Sequence, residues 1–357
     1  MTSRAQASRP TTGGPVIAPT VLPAGVLILA LACLVGAVIA GLLTGPVHLP
    51  SGQVVREMMA RLPFVEVTSD LSARDSAILW QLRIPRVVLA GLVGAALSVA
   101  GAAYQGVFRN PLADPYLLGA ASGAALGATL AIAGGQGSSA PIVPIAAFAG
   151  ALLGVGLAYV LGRSAGPGSN TGTLILAGVA VASFLTAIQT FIQQRDPETF
   201  RGVFRWILGG LATSGWREVL LILPYVIGSA VALLLHRRLL DVVSVGDEES
   251  QSLGIRAPRV RLWVVVAASL GTAAAVAVGG LIGFVGIIVP HTVRLIAGPS
   301  YRLVLPLSLV LGAAFLVLAD LLARSVIAPA ELPIGVVTAF FGAPFFAVVL
   351  RRAARAG

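Results

Sequence analysis

The chain contains no lysine. All 24 of its basic residues are arginine, set against 14 Asp and Glu, which leaves a net charge of +10 over 357 residues. A phosphate-binding loop of the Gly-Lys-Ser/Thr type needs its lysine to reach the nucleotide phosphates, so ATP hydrolysis by that route is excluded. Schiff-base chemistry is excluded with it. There is a single cysteine, Cys33. One cysteine supports neither a disulfide framework within the chain nor a cysteine metal site. The three histidines, His48, His236 and His291, stand far apart with no carboxylate cluster beside them, so no metal site is expected. No HExxH, paired carboxylates or Ser/His arrangement argues for an intramembrane enzyme. Charge of either sign is scarce, at 11% of residues, where a soluble chain carries about 25%.

Apolar residues fill the space: they make up 57% of the chain, and the mean hydropathy is +0.94. Runs of about 20 apolar residues recur throughout, the length that crosses the ~30 Å hydrocarbon core of a bilayer. The pattern predicts an all-α membrane protein with about ten transmembrane helices in one bundle. They are expected near 22–45, 85–108, 115–134, 141–162, 171–192, 218–236, 258–279, 281–297, 303–325 and 333–352. The seventh and eighth form one long apolar stretch, nearly twice the span a membrane needs, and Gly279-Gly280 is the expected break. Pro290 suggests that the eighth is a broken helix. Residues 1–21, rich in Ser, Thr, Pro and Ala, read as a disordered tail, and 22–357 as one membrane domain. The first run exceeds the 7–15 residues of a signal-peptide core and is read as a retained span. An even number of spans puts both termini on one side, and the arginine distribution favours the cytoplasm. The basic pI fits loops facing anionic lipid rather than nucleic acid.

Small residues crowd the second and third spans, as close helix packing demands. PYLLGAA from Pro115 and PLSLVLGAA from Pro306 form a weak internal echo, compatible with an inverted repeat.

Four polar segments carry the mechanism. RIPR at 83–86 opens the second span. Arg83 and Arg86 are either interfacial arginines reaching for headgroups or a cationic patch for an acidic partner. NPLADPYLLG at 110–119 holds two prolines and forces a stiff turn, which is either a plain reversal or a gate lip. Residues 241–261 form the longest cytoplasmic connection. Within it Gly246, Asp247-Glu248-Glu249 and Gly254 punctuate a short amphipathic helix, either a solvated surface helix or a docking helix for a soluble subunit. The fourth segment runs from Gly280 to the C-terminus. There Asp320 and Arg324 lie at i, i+4 and pair across one helical turn, while His291 and Arg294 fall near a helix end.

Taken in order, RIPR, NPLADPYLLG, GDEESQSLG at 246–254, GFVGIIVPHTVRL at 283–295, ADLLAR at 319–324 and ELPIGVVTAFFGAPFF at 331–346 resemble the motifs of the FecCD-type permeases of ABC importers, which carry iron-siderophores, haem and cobalamin. The resemblance spans residues 75–352. It implies a homodimer of ten-helix subunits in the cell membrane, resting on two ATP-binding subunits and served by a substrate-binding protein. ATP would be used by the partner subunits, with no cofactor in this chain. By position, Arg83, Arg86 and Arg324 match arginines that meet the binding protein. Asn110 and Leu112 match one cytoplasmic gate. Thr171, Gly172 and Thr173 match a second, although Gly172 departs from the Thr-Ser pair of the motif. Gly246, Asp247, Glu248, Leu253 and Gly254 match the ATPase-coupling helix. The expected cargo is an iron-siderophore, with cobalamin or haem as alternatives. The rival class is an ion-coupled secondary transporter, for which Asp320 and Glu331 are the available intramembrane acids.

Overall fold

The structure is a computed structural model that describes residues 23–61, 68–135, 137, 140–164, 171–212 and 215–356. The tail read at 1–21 lies outside the described residues.

The described residues form fifteen α-helices: α1 (Ala24–Leu43), α2 (Ser51–Ala60), α3 (Ala73–Ile78), α4 (Ile84–Phe108), α5 (Ala120–Ala133), α6 (Ile142–Ser164), α7 (Thr171–Gln193), α8 (Pro197–Ile207), α9 (Arg217–Leu235), α10 (Arg237–Val245), α11 (Asp247–Ser252), α12 (Ala257–Gly279), α13 (Val285–Ala297), α14 (Tyr301–Ser325) and α15 (Ile334–Ala356). A π-helical turn, Leu79–Arg83, joins α3 to α4. Among the described residues seven spans are long and apolar enough to cross a membrane: α1, the α3–α4 rod, α6, α7, α9, α12 and α14. Three shorter apolar helices, α5, α13 and residues 334–349 of α15, complete the ten expected from the sequence.

α4 runs through the middle. From Val93 to Phe108 every one of its residues is buried, against α14, α12, α13 and α9. Its small residues make that possible. A Cβ on Gly94 would lie 2.2 Å from the Gly312 carbonyl oxygen of α14, and one on Gly123 of α5 2.1 Å from that of Gly150 in α6. Helices this close gain dispersion contacts where lipid offers no hydrophobic drive. α1 shows the converse. Ala30, Ala37 and Gly41 are buried on one side, while Ile28, Leu29, Val35 and Ile39 stay exposed for lipid.

The break between the seventh and eighth spans falls where the glycines predict it. α12 ends at Gly279, and Gly280 adopts a left-handed φ of 69°. A Cβ there would meet the Trp206 carbonyl oxygen at 2.3 Å, so only glycine fits. α13 then starts at Val285 and carries Pro290 within it.

The intervals between the first and second and between the fifth and sixth expected spans, 46–84 and 193–217, contain helices. α8 begins with Asp196, whose carboxylate accepts from the backbone N–H of Glu198 and Thr199, followed by Pro197 at the first helical position. That is an N-terminal helix signature in the sequence itself. α2 is held to the α3–α4 junction by Glu57, which accepts from Ser76 Oγ (2.8 Å) and Trp80 Nε1 (2.9 Å).

Candidate functional site

Two polar clusters stand at opposite ends of α4. Its 25 residues place them about 37 Å apart at 1.5 Å per residue.

The first cluster, at the N-terminal end of α4, gathers Arg83, Arg86 and Arg324 around one cleft of about 210 Å³, with Pro46, Val47, Ile78, Leu82 and Ala212. The sequence leaves Arg83 and Arg86 as either headgroup-reaching arginines or a cationic patch and pairs Arg324 with Asp320, while the resemblance groups all three. In the structure each has internal partners. Arg83 is 5% exposed and donates to the carbonyl oxygens of Leu42 (2.9 Å) and Val47 (2.6 Å). Arg324, 2% exposed, donates to the Gly41 carbonyl at 2.6 Å. Both guanidiniums therefore sit at the C-terminal end of α1, where unpaired carbonyls and the helix dipole favour positive charge. Arg86 forks between two carboxylates. Its Nε and Nη2 reach Asp320 at 3.0 and 2.9 Å, and its Nη1 and Nη2 reach Glu331 at 2.7 and 2.9 Å. Asp320 also lies 3.4 Å from Arg324 Nε, so the i, i+4 pair expected from the sequence is present. Glu331, in the turn before α15, is the exposed edge of the cluster; the Arg86 guanidinium holds its carboxyl below the usual range.

The two arginines share the cleft but take different partners: Arg83 bonds the Leu42 and Val47 carbonyls, and Arg86 bonds Asp320 of α14 and Glu331. Just before them, in the π turn, the Ile84 N–H reaches back to the Leu79 carbonyl. Pro85, lacking an N–H, tolerates the interruption.

The second cluster, at the C-terminal end of α4, surrounds the turn at 109–119. Arg109 ends α4 in a left-handed conformation (φ 50°). Asn110 Oδ1 accepts from the Leu112 N–H (2.9 Å) and Asp114 Oδ1 from the Tyr116 N–H (2.8 Å), two side-chain-closed turns that stiffen the segment. Burial pushes the Asp114 carboxyl up to about 6. The Tyr116 hydroxyl bonds both the N–H and the carbonyl of Ile282, each at 3.1 Å, which ties the turn to the break between α12 and α13. Gln105 links α4 to the same region: its Nε2 donates to the Gly286 carbonyl (3.0 Å), and its Oε1 accepts from Arg294.

The helix expected between Gly246 and Gly254 is α11, with Gly254 at φ 72°. Glu248, Glu249 and Leu253 are exposed, and Gly246 is buried. Asp247 points inward and pairs with Arg261 of α12, with Arg109 4.0 Å away. Of the second gate, α7 does begin at Thr171, next to residues outside the described set. α7 reaches the 109–119 turn further on, where a Cβ on Gly178 would lie 2.2 Å from the Leu117 carbonyl oxygen. His291 packs edge-on against Phe345 (5.7 Å). Among the described residues no group of three His, Cys, Asp or Glu is placed to hold a metal ion.

Sequence reasoning missed Arg109, Arg261, Asp241 and Tyr116. The first two are ordinary loop and helix-start arginines in the sequence, and nothing local marks Tyr116 as a hydrogen-bonding partner of the helix break.

Among the described residues ten apolar helices, one of them buried at the centre, with a polar cluster at each end of it, define a multi-pass membrane protein. Residues 18–352 match the FecCD transport family, and the chain belongs to it. It is 43% identical to the cobalamin import system permease BtuC of Halobacterium salinarum, over 77% of this chain and 73% of that one. It is 39% identical to the Fe(3+) dicitrate transport system permease FecD of Escherichia coli, over 77% of this chain and 85% of that one. A solved chain from an inward-facing transporter, described as metal-chelate type ABC, superimposes with a TM-score of 0.79 at 27% identity, covering 92% of this chain and 99% of the other. The protein is thus an ABC-transporter permease.

Proposed function

We propose that this chain is the membrane-spanning subunit of an importer for a metal chelate. Two copies form the pathway, two separate ATP-binding subunits drive it from the cytoplasm, and a substrate-binding protein delivers cargo to the outer face. Both termini are cytoplasmic. α11 meets the ATPase through Glu248, Glu249 and Leu253. The turn around Asn110 and Leu112, with the start of α7 at Thr171, Gly172 and Thr173, closes the cytoplasmic end. The binding protein docks over the cleft of Arg83, Arg86 and Arg324, where three cations face two carboxylates and an acidic side chain from a partner would be favoured.

The observation that carries this reading is α11: a short helix at the far end of α4 from the arginine cleft, with Glu248, Glu249 and the Leu253 that follows it exposed. Asp320, the acid an ion-coupled carrier would need, is already committed to Arg86 and Arg324, which disfavours that rival.

For cargo, ferric siderophore is the first reading, supported by the motifs and by the dicitrate-permease relative. Cobalamin is the second, favoured by the 43% identity to a cobalamin permease. Uptake of radiolabelled ferric siderophore and of labelled cobalamin, in a strain deleted for this chain and complemented with it, decides between them. Restoration of cobalamin uptake alone would overturn the siderophore reading. Restoration of neither, with the complex assembled, would overturn both.

A further inference from the structure

The second cluster contains a connection that no docking role requires. Asp247, on the inward side of α11, accepts from Arg261 Nη1 at 3.0 Å and also from Nη2. Arg109 Nη2 lies 4.0 Å from the same carboxylate. Arg261 belongs to α12, but Arg109 is the residue that ends α4 and opens the stiff 109–119 turn. Its backbone is pinned there: its N–H donates to the Gly106 carbonyl, and the Asn110 N–H to that of Gln105. Beyond it the turn is braced by Asn110, Asp114 and two prolines, and it ends at Tyr116, whose hydroxyl grips Ile282 at the α12–α13 break.

We infer that Arg109 is a positioning residue through which displacement of α11 is handed to this turn, with Asp247 as the junction. The inference rests on the reading of α11 as the ATPase-facing helix and adds how its motion leaves it. A rigid turn moves as a unit when its first residue is pulled. Asp247 gives α11 two attachments of different kinds: Arg261 seats it on α12, and Arg109 reaches across to the gate. A second tie runs in parallel, since Asp241 of α10 accepts from Ser300 Oγ (3.0 Å) and the Tyr301 N–H at the start of α14. Stability alone gives the Arg109 contact little reason to exist. Arg109 and Asp247 are 40% and 43% exposed, and ion pairs that open to solvent contribute little to folding. Removing Arg109 also strands no charge, because Arg261 continues to hold Asp247.

The test uses the full chain assembled with its ATPase subunits, with Cys33→Ala and Leu112→Cys as the parent. The readout is the rate at which a membrane-impermeant maleimide labels position 112, with and without ATP plus vanadate. The parent should show a several-fold nucleotide-dependent change. Arg109→Gln should shrink that change to less than about twofold while ATPase co-purification is retained, and Arg109→Lys should restore it. A merely structural role would instead alter labelling equally with and without nucleotide. If Arg109→Gln keeps the full nucleotide-dependent change, the inference is wrong. It is also wrong if the parent binds the ATPase yet shows no change at position 112. A parent that does not bind the ATPase at all would instead overturn the reading of α11 beneath it.

Discussion

The arginine cluster makes a sharp distinction between its two carboxylates. Asp320 is 1% exposed and serves two arginines, taking three hydrogen bonds from Arg86 and lying 3.4 Å from Arg324. Neutralised to asparagine, it leaves Arg324 almost fully buried with only the Gly41 carbonyl as partner. Breaking a buried pair by removing one member costs about 3–5 kcal/mol, because the remaining charge is uncompensated. Asparagine keeps one oxygen acceptor, so the low end, about 3 kcal/mol, is expected. Glu331 holds the same Arg86, but its side chain is 38% exposed and water replaces it, so Glu331→Gln should cost about 1 kcal/mol or less. At about 2 °C per kcal/mol for a large chain, Asp320→Asn should lower the apparent melting midpoint by roughly 6 °C and Glu331→Gln by roughly 2 °C or less. Both variants are heated in the same detergent for the same time, because the midpoint reflects irreversible loss, and the surviving monodisperse fraction is read by size-exclusion chromatography. The double variant Asp320→Asn, Arg324→Met should recover part of the loss, since removing both members of a buried pair is far cheaper than removing one. Equal shifts for the two single variants would refute the reasoning.

Three further outcomes are expected. Gly123→Ala should sharply reduce the folded yield, because its new Cβ would lie 2.1 Å from a backbone oxygen of α6, whereas Gly156→Ala, with nothing within 4 Å, should be neutral or stabilising. Equal yields would show that α5 and α6 are not in this close contact. Asp114 is raised in the fold, so the folded state binds its proton more tightly than the unfolded chain. Stability from this group is therefore present at low pH and lost as pH rises through about 6. Asp114→Asn should remove that loss, and midpoints that run parallel to the parent between about pH 4 and 6.5 would contradict it. Glu331→Gln, by unmasking Arg86 at the cleft edge, should speed association of the substrate-binding protein at low salt and less so at high salt. A salt-independent rate equal to the parent's would argue against docking there.

The bundle was legible because its signal is collective: an apolar run long enough to span lipid survives an error of a few residues at either end. The break at Gly279-Gly280 was legible for a related reason, as the apolar stretch was too long for one crossing and glycine was the only local stop. α8 could have been read from Asp196-Pro197-Glu198, but it is too short and polar to register among the expected spans. The fates of the arginines were not legible. Arg86 meets Asp320 and Glu331 across 234 and 245 residues of sequence, and Arg83, at the end of a π turn, finds its acceptors at Leu42 and Val47. Neither the distant pairing nor the turn leaves a periodic trace. The same holds for Arg109 and Asp247, whose proximity depends on where α4 ends and α11 is seated.

The central claim is most directly tested by reconstitution. The chain is placed in liposomes with its ATPase subunits, the binding protein is supplied on the outer side, and entry of radiolabelled ferric siderophore and of labelled cobalamin is followed with ATP present or absent on the ATPase side. The account predicts that one of these chelates accumulates only when ATP and the ATPase are both present, and that proton and sodium gradients leave the rate unchanged. Accumulation driven by an ion gradient without ATP, or without the ATPase subunits, would contradict it.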